Sequence, residues 1–360
     1  MEMEYNNKVK ILTLGDVTLK TKGGTNPFSK IEHLFKDADF VVINLETVIA
    51  KRSKKYPVKE KAFIMRVYED ELSWLMQYKD KFIFTMANNH IFDLGKEGYE
   101  DTVGFLSKNN FMFVPLDSLL AAEKKGLKLQ FDAVYSGIKN NYKRIINMQA
   151  VSPDTCNLLS IHWGAENILI PSLQQIQLAQ SIHQKGFDII LGHHSHTPQG
   201  CFLKNRKFCV FSLGNCNMIY ERKCRRTERI GLAFELCISD IREISYKKIP
   251  IEMNAAYAPE ELKEQKTVSL LNQLDILPVH KTEAILSNMK YRFFYTAHLS
   301  RIYICDNFFY GWLPRIRKYG AKHLVMMLRW FFTKTFVLSF LHLLFHHFSK
   351  ASQIIKKIND

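Results

Sequence analysis

The chain has 360 residues, 47% hydrophobic and 24% charged, the balance of a globular protein and not of a disordered, collagen-like or low-complexity one. Fifty Lys and Arg against 35 Asp and Glu give a formal charge of +15, and thirteen basic against three acidic residues in 281–360 place +10 of it there. Seven cysteines without a CxxC pair exclude a disulfide framework or zinc ribbon and read as reduced thiols.

The opening residues, with Glu2 and Glu4 and no apolar stretch, do not read as a secretory signal, so a cytoplasmic location is expected. Val9–Leu14 is a short apolar run that leads into Gly15-Asp16, and Phe40–Ile43 leads into Asn44-Leu45-Glu46. The apolar spacing of Glu69–Tyr78 predicts a helix. Phe82–Ala87 then leads into Asn88-Asn89-His90, and a second helix is predicted over Gly98–Lys108. Leu158–Ile161 leads into His162-Trp163-Gly164, and a third helix over Ser172–Lys185 stops at Gly186. Asp188–Leu191 leads into Gly192-His193-His194-Ser195-His196, and Phe208–Phe211 into Ser212-Leu213-Gly214-Asn215.

The six apolar runs, rich in Val, Ile and Phe, read as buried strands. Their alternation with helices predicts an α/β architecture with a largely parallel core. In such sheets functional groups collect at the carboxyl edge, and every run here ends in Asp, Glu, Asn, Ser or His.

From Tyr246 to Gln273 the sequence turns polar, with Pro250 and Pro259, so 241–285 reads as a linker with a short helix. A domain over 1–240 and a basic, aromatic helical tail over 286–360 are expected on either side. The longest uncharged apolar stretch of the tail, 335–349, would make a helix of about 22 Å, short of a hydrocarbon core of about 30 Å. The tail is expected either to lie on an anionic membrane surface or to pack on a partner. Its basic residues are mixed with bulky aliphatics, and no nucleic acid is expected.

The strand ends offer donors suited to divalent cations: Asp16, Glu46, Asn89, His162, His194 and His196. A carboxylate such as Glu46 can bridge two ions, which would clamp a phosphoryl-type group and acidify a water between them. His90, next to a proposed ligand, is placed to act as general acid. Asp93 either orients His90 or caps the turn before Gly95, and both are counted as catalytic candidates. Asn44, Glu166, His193 and Asn215 are expected to bind substrate, Glu166 alternatively to steady an imidazole. Trp163 is expected to wall the site, and His183 to lie on the surface.

From about Lys8 to Leu236 the chain resembles the CapA-like capsule and poly-γ-glutamate biosynthesis family of the calcineurin-like metallophosphoesterase superfamily. The resemblance rests on Gly15-Asp16, Asn44-Leu45-Glu46, Ala87-Asn88-Asn89-His90 with Asp93 and Gly95, and His162-Trp163-Gly164 with Glu166. It is completed by Gly192-His193-His194-Ser195-His196 and Ser212-Leu213-Gly214-Asn215. It implies a four-layer α/β sandwich, two central sheets flanked by helices, with a C-terminal extension. It also implies a dinuclear centre of Mn, Fe or Zn held by Asp16, Glu46, Asn89, His162, His194 and His196, with His90 as the catalytic histidine.

The function so implied is hydrolysis of a phosphoester or similar bond in a capsule or envelope polymer, or in its phosphorylated precursor. The expected location is cytoplasmic or peripheral at the inner face of the membrane. The alternative is a non-catalytic scaffold of a capsule-synthesis complex, docked by its tail.

Overall fold

The computed structural model describes residues 8–21, 25–57, 64–116, 118–136, 152–219 and 224–279. The first six strands are β1 (Val9–Val17), β2 (Phe40–Leu45), β3 (Val48–Ala50), β4 (Arg66–Tyr68), β5 (Phe82–Thr85) and β6 (Met112–Val114). Next come β7 (Leu119–Lys124), β8 (Leu127–Tyr135), β9 (Cys156–His162), β10 (Ile189–His193), β11 (Cys201–Lys204) and β12 (Lys207–Val210). The last are β13 (Asn215–Asn217), β14 (Ile230–Ile238), β15 (Ile244–Met253) and β16 (Pro259–Glu261). Among the described residues four α-helices accompany them: α1 (Gly95–Lys108), α2 (Leu173–Gln184), α3 (Arg226–Arg229) and α4 (Gln265–Val279).

The strands build two large sheets. An eight-stranded sheet runs β16-β15-β14-β1-β2-β5-β6, with β13 also paired to β1, and a six-stranded sheet runs β11-β12-β10-β9-β8-β7. The central pairs β1–β2, β2–β5, β8–β9, β9–β10 and β10–β12 are parallel; antiparallel strands close three of the four edges, and β6 closes the fourth in parallel with β5. All six apolar runs of the sequence are strands of these sheets.

Period-two geometry explains why those runs are apolar throughout: alternate side chains enter different cores. Ile11, Val42 and Ile83 of the first sheet meet Leu129, Phe131, Leu158, Ile189 and Leu191 of the second in the core between them. Leu12, Leu14, Val41, Ile43, Phe82 and Phe84 face the opposite way, with Leu106 of α1 and Leu75 and Tyr78 of 69–78. On the outer face of the second sheet, Leu159, Ile161 and Ile190 pack with Ile176, Ala179 and Ile182 of α2. The molecule is therefore an α/β sandwich of two sheets with helical segments on both outer faces.

The structure corrects two expectations about the elements. Residues 69–78 form two 3-10 segments, Glu69–Glu71 and Ser73–Tyr78, and not an α-helix. The supposed linker contains β15, paired with β14 from Ile230↔Glu252 to Ile238↔Ile244, and β16, paired with β15. It continues into α4, whose Leu270, Leu271 and Leu274 enter the core between the sheets. Asp275 of α4 accepts from the Cys201 amide at 2.9 Å and pairs with Lys248 at 2.9 Å, so the segment is docked on the sandwich. The tail expected over 286–360 lies outside the described residues. Among the described residues no helix is long and apolar enough to cross a membrane.

His183, expected on the surface, is half-buried beside Phe202, with Nδ1–H donating to the Phe187 carbonyl at 3.0 Å. Burial lowers its pKa to about 4 from an ordinary 6.5. The unfolded chain takes up this proton first as pH falls, so stability present above pH 6.5 is lost on acidification through pH 4. Wild type is expected to lose up to about 3 kcal/mol more over that range than His183→Asn, which keeps a donor for Phe187. Denaturant unfolding at stepped pH measures the difference, and parallel curves would refute it.

Candidate metal centre

The carboxyl edges of the two sheets converge on one buried cluster. Asp16, fully buried near the end of β1, aligns with Asn44 of β2 and Asn215 of β13, and its amide donates to the Gly214 carbonyl at 2.9 Å. Glu46 follows β2, and its amide donates to the Val17 carbonyl at 3.0 Å. From the other sheet, His162 ends β9 in register with His193 of β10. His194 and His196, just beyond β10, have φ values of 87° and 54°, a left-handed backbone that ordinary residues adopt only where surrounding structure imposes it.

Hydrogen bonds on both sides of the turn accompany it here. Ser195 Oγ donates to Ser212 Oγ at 2.9 Å, the Asn167 amide donates to the Ser195 carbonyl at 2.6 Å, and Thr197 Oγ1 donates to the Ile168 carbonyl at 3.0 Å. The histidine turn is thus tied to 167–168 on one side and to the β12–β13 connection on the other.

Two sets of metal-competent donors result: Glu46, His162 and His194, and Asp16, Glu46 and His196, the donor atoms of each set lying within 4.8 Å of one another. His162 Nε2 stands 3.5 Å from Glu46 Oε1, 3.0 Å from His194 Nδ1 and 2.7 Å from Asn89 Oδ1. His196 reaches Asp16 Oδ2 with Nδ1 at 3.6 Å and Glu46 Oε1 with Nε2 at 3.8 Å. All six expected ligands therefore meet, with Glu46 common to both sets.

The electrostatics fit cations. Both Glu46 carboxylate oxygens are buried without a hydrogen-bond partner. Burial, reinforced by the charges of Asp16, Glu166 and Asp93, raises its pKa well above the ordinary range. Burial also pushes Asp16 upward, but the His193 hydrogen bond and the nearby imidazoles outweigh it and hold Asp16 well below the usual carboxylate range. Burial, then neighbouring imidazoles, lowers His162, while burial lowers His194 despite the pull of Glu166. Neutral imidazoles are the form that binds a divalent ion, and a buried carboxyl without a hydrogen bond is one whose ionised form such an ion would stabilise.

His90 lies at the open side. Its Nδ1 is 2.6 Å from Asp93 Oδ2, which also accepts from the Met65 amide at 2.8 Å, and its Nε2 faces Glu46 Oε1 at 3.9 Å. Of the two readings of Asp93, the geometry realises the orientation of His90.

Three residues expected to bind substrate are instead sealed behind the donors. Asn44, 1% exposed, donates to Asp16 Oδ1 at 2.8 Å and stands 3.3 Å from His162 Nδ1. His193, 1% exposed, sits 2.9 Å from Asp16 Oδ1. Asn215 is fully buried, with Oδ1 3.0 Å from His196 Nδ1, and donates to the His196 and Glu228 carbonyls. Each holds one of the donors named above, and none reaches the surface. Glu166 is exposed and acts on Glu46 and His194 through its charge. Trp163 does not wall the site: it is buried against Phe211 in the outer core, donating to the Phe211 carbonyl at 2.8 Å.

One neighbour was missed. Tyr135 ends β8 in register with His162 and meets its ring edge-on at 5.7 Å. The alternating apolar pattern of Leu127–Tyr135 would have marked this strand and its end.

The family model described as bacterial capsule synthesis protein PGA_cap matches residues 10–127 and 121–219. The PGA biosynthesis protein CapA of Bacillus subtilis is 26% identical over 235 residues, covering 59% of this chain and 61% of that protein. The capsule biosynthesis protein CapA of Bacillus anthracis is 23% identical over 262 residues, covering 63% of each. The chain thus spans about three fifths of the length of these relatives. Among solved structures, a novel phosphatase of Mycoplasma pneumoniae aligns with a TM-score of 0.46 at 13% identity, over 69% of this chain and 96% of that one. The NAD nucleotidase of Haemophilus influenzae aligns with a TM-score of 0.38 at 13% identity, over 75% and 56%.

Proposed function

The chain belongs to the bacterial capsule synthesis protein family PGA_cap, and on that premise we propose that it is a metal-dependent hydrolase acting on a phosphoester or similar bond. The names of the two CapA relatives speak of capsule and PGA biosynthesis, and the substrate class carried to this chain is a capsule or envelope polymer or its phosphorylated precursor. The observation that supports the reading most is Glu46, buried, unpartnered and shared by two donor sets.

Asp16, Glu46 and His196 would hold one divalent ion, and Glu46, Asn89, His162 and His194 a second. Mn, Fe or Zn bound there would supply positive charge to polarise a phosphoryl oxygen and acidify water. Asn44, His193 and Asn215 fix the orientation of those donors. Asp93 holds the Nδ1 proton of His90, leaving Nε2 turned toward the centre, where it can carry a proton to a departing oxygen.

Purified full-length protein loaded with Mn or Zn should hydrolyse aryl phosphomonoesters or phosphodiesters. His90→Asn should retain its metal but lose about 10²- to 10⁴-fold in kcat. A variant as active as wild type would remove His90 from the reaction, and a metal-loaded wild type inert toward phosphoesters and isolated capsule polymers would contradict the hydrolase reading.

A further inference from the structure

The donors Asp16, Glu46, His162, His194 and His196 are all buried. Around them, among the described residues, Asn89, His90 and Tyr135 are half-buried and Glu166 is exposed, so these four form the rim that a substrate meets first. Tyr135 lies edge-on to the His162 ring at 5.7 Å. The backbone fixes Glu166 from both sides. Gly164 holds φ at 84° and Asn167 at 64°, and the Asn167 amide donates to the Ser195 carbonyl at 2.6 Å, between His194 and His196. The Ile168 carbonyl accepts from Thr197 Oγ1 at 3.0 Å and from Gln199 Nε2 at 2.8 Å. These bonds lay the Glu166 segment along the histidine turn, where its charge acts on Glu46, His194 and Tyr135.

The leading charges that act on Glu46, His194 and Tyr135 belong to carboxylates and imidazoles, and none to a Lys or Arg. Two divalent ions would be offset by the carboxylates of Asp16, Glu46, Asp93 and Glu166. A second negative charge on a ligand would then face Glu166 without a basic side chain to balance it. We propose that Glu166 and Tyr135 make the entrance selective for phosphodiesters, which carry one negative charge, over terminal phosphomonoesters and polyphosphates, which carry more. This rests on the metal-dependent hydrolase reading. Glu166 supplies the repulsion, and the Tyr135 ring gives the second ester group of a diester an apolar surface. Hydrolysis of the diester breaks one phosphorus–oxygen bond with one water and hands a proton to the departing alcohol. It leaves a monoester, mostly dianionic at pH 7, whose departure the same carboxylate favours.

Full-length protein loaded with Mn or Zn tests this at pH 8, with metal content checked in every variant by elemental analysis. Wild type should turn over bis(4-nitrophenyl) phosphate with a higher kcat/KM than 4-nitrophenyl phosphate. In Glu166→Gln that ratio should fall by about five-fold or more, and Glu166→Asp, which keeps the charge, should retain it. Because Glu166 is exposed, the discrimination should shrink at high salt. Calorimetric titration gives a reading independent of turnover: Glu166→Gln should tighten phenylphosphonate, a dianion, by about five-fold more than its monomethyl ester.

A wild type that favours the monoester, or a Glu166→Gln protein with unchanged ratio and affinities, would overturn the inference and leave the hydrolase reading standing. So would loss of metal from Glu166→Gln, which would make Glu166 a support of the centre. A metal-loaded wild type inert toward both phosphoesters would overturn both readings.

Discussion

Glu46→Gln is expected to empty both halves of the centre and, in the metal-free protein, to raise stability. Glu46 is the one donor common to both sets, so its amide weakens two sites at once. Metal ions contribute several kcal/mol to such reactions and each 1.36 kcal/mol is a factor of ten, so hydrolysis should fall by at least about 10³-fold.

Without metal the same side chain is a liability, being buried, unpartnered and facing the Asp16 carboxylate. A neutral amide that can donate to Asp16 removes the cost of burying that charge beside the Asp16 carboxylate, and is expected to raise the stability of the metal-free protein. The gain has a pH signature. Because burial raises the folded-state pKa of Glu46, the folded protein holds the extra proton, and stability falls as pH rises from about 4.5 through that raised pKa. Thermal melts of the metal-free proteins should therefore show a larger advantage for Glu46→Gln at pH 8 than at pH 5. A variant less stable than wild type at both would mean that Glu46 already has a compensating partner.

Gly192→Ala is expected to destroy the site by packing alone. A Cβ there would stand 2.0 Å from the Phe211 carbonyl oxygen and 2.8 Å from Trp163 Nε1. Those atoms belong to the bond that seats Trp163, and the Gly192 carbonyl itself accepts from the Leu213 amide at 2.9 Å. Moving β10 far enough to relieve the clash would carry His193, His194 and His196 away from Asp16 and His162. The loss should exceed about 3 kcal/mol, the overpacking range and beyond, read as a collapsed melting temperature or insoluble protein.

Gly104→Ala is the contrast. That glycine is exposed inside α1, with nothing within 4 Å of an added Cβ, and the change should stabilise by about 0.5 to 1 kcal/mol. Equal effects of the two substitutions would show that the contact at Gly192 does not govern the fold.

The central strands were legible because both of their faces are buried, which leaves an unbroken apolar run such as Phe40–Ile43 or Phe208–Val210. The donor cluster was legible because those runs stop at the Asp, Glu, Asn and His residues that the structure brings together. The edges were not. In β15, Ser245, Tyr246 and Lys247 are exposed and Pro250 sits mid-strand, all signs of a loop. The sheet tolerates Pro250 toward its margin, where the proline carbonyl accepts from the Leu262 amide at 2.9 Å.

Residue type likewise could not separate a ligand from the group behind it. His193 and His194 are neighbours in sequence, yet one ring turns to Asp16 and the other to His162. Within this turn, His194 and His196, which join the metal-competent sets, have a left-handed backbone and His193, which does not join them, lacks it.

A two-ion centre requires that two ions sit about Glu46. Crystals of the full-length protein grown with manganese, with data collected for its anomalous signal, address this directly. Two peaks about 3.5 to 4 Å apart are predicted, one beside Asp16 and His196 and the other beside Asn89, His162 and His194, with Glu46 between them. Well-ordered side chains at this cluster with no anomalous peak within reach of Glu46 would contradict it.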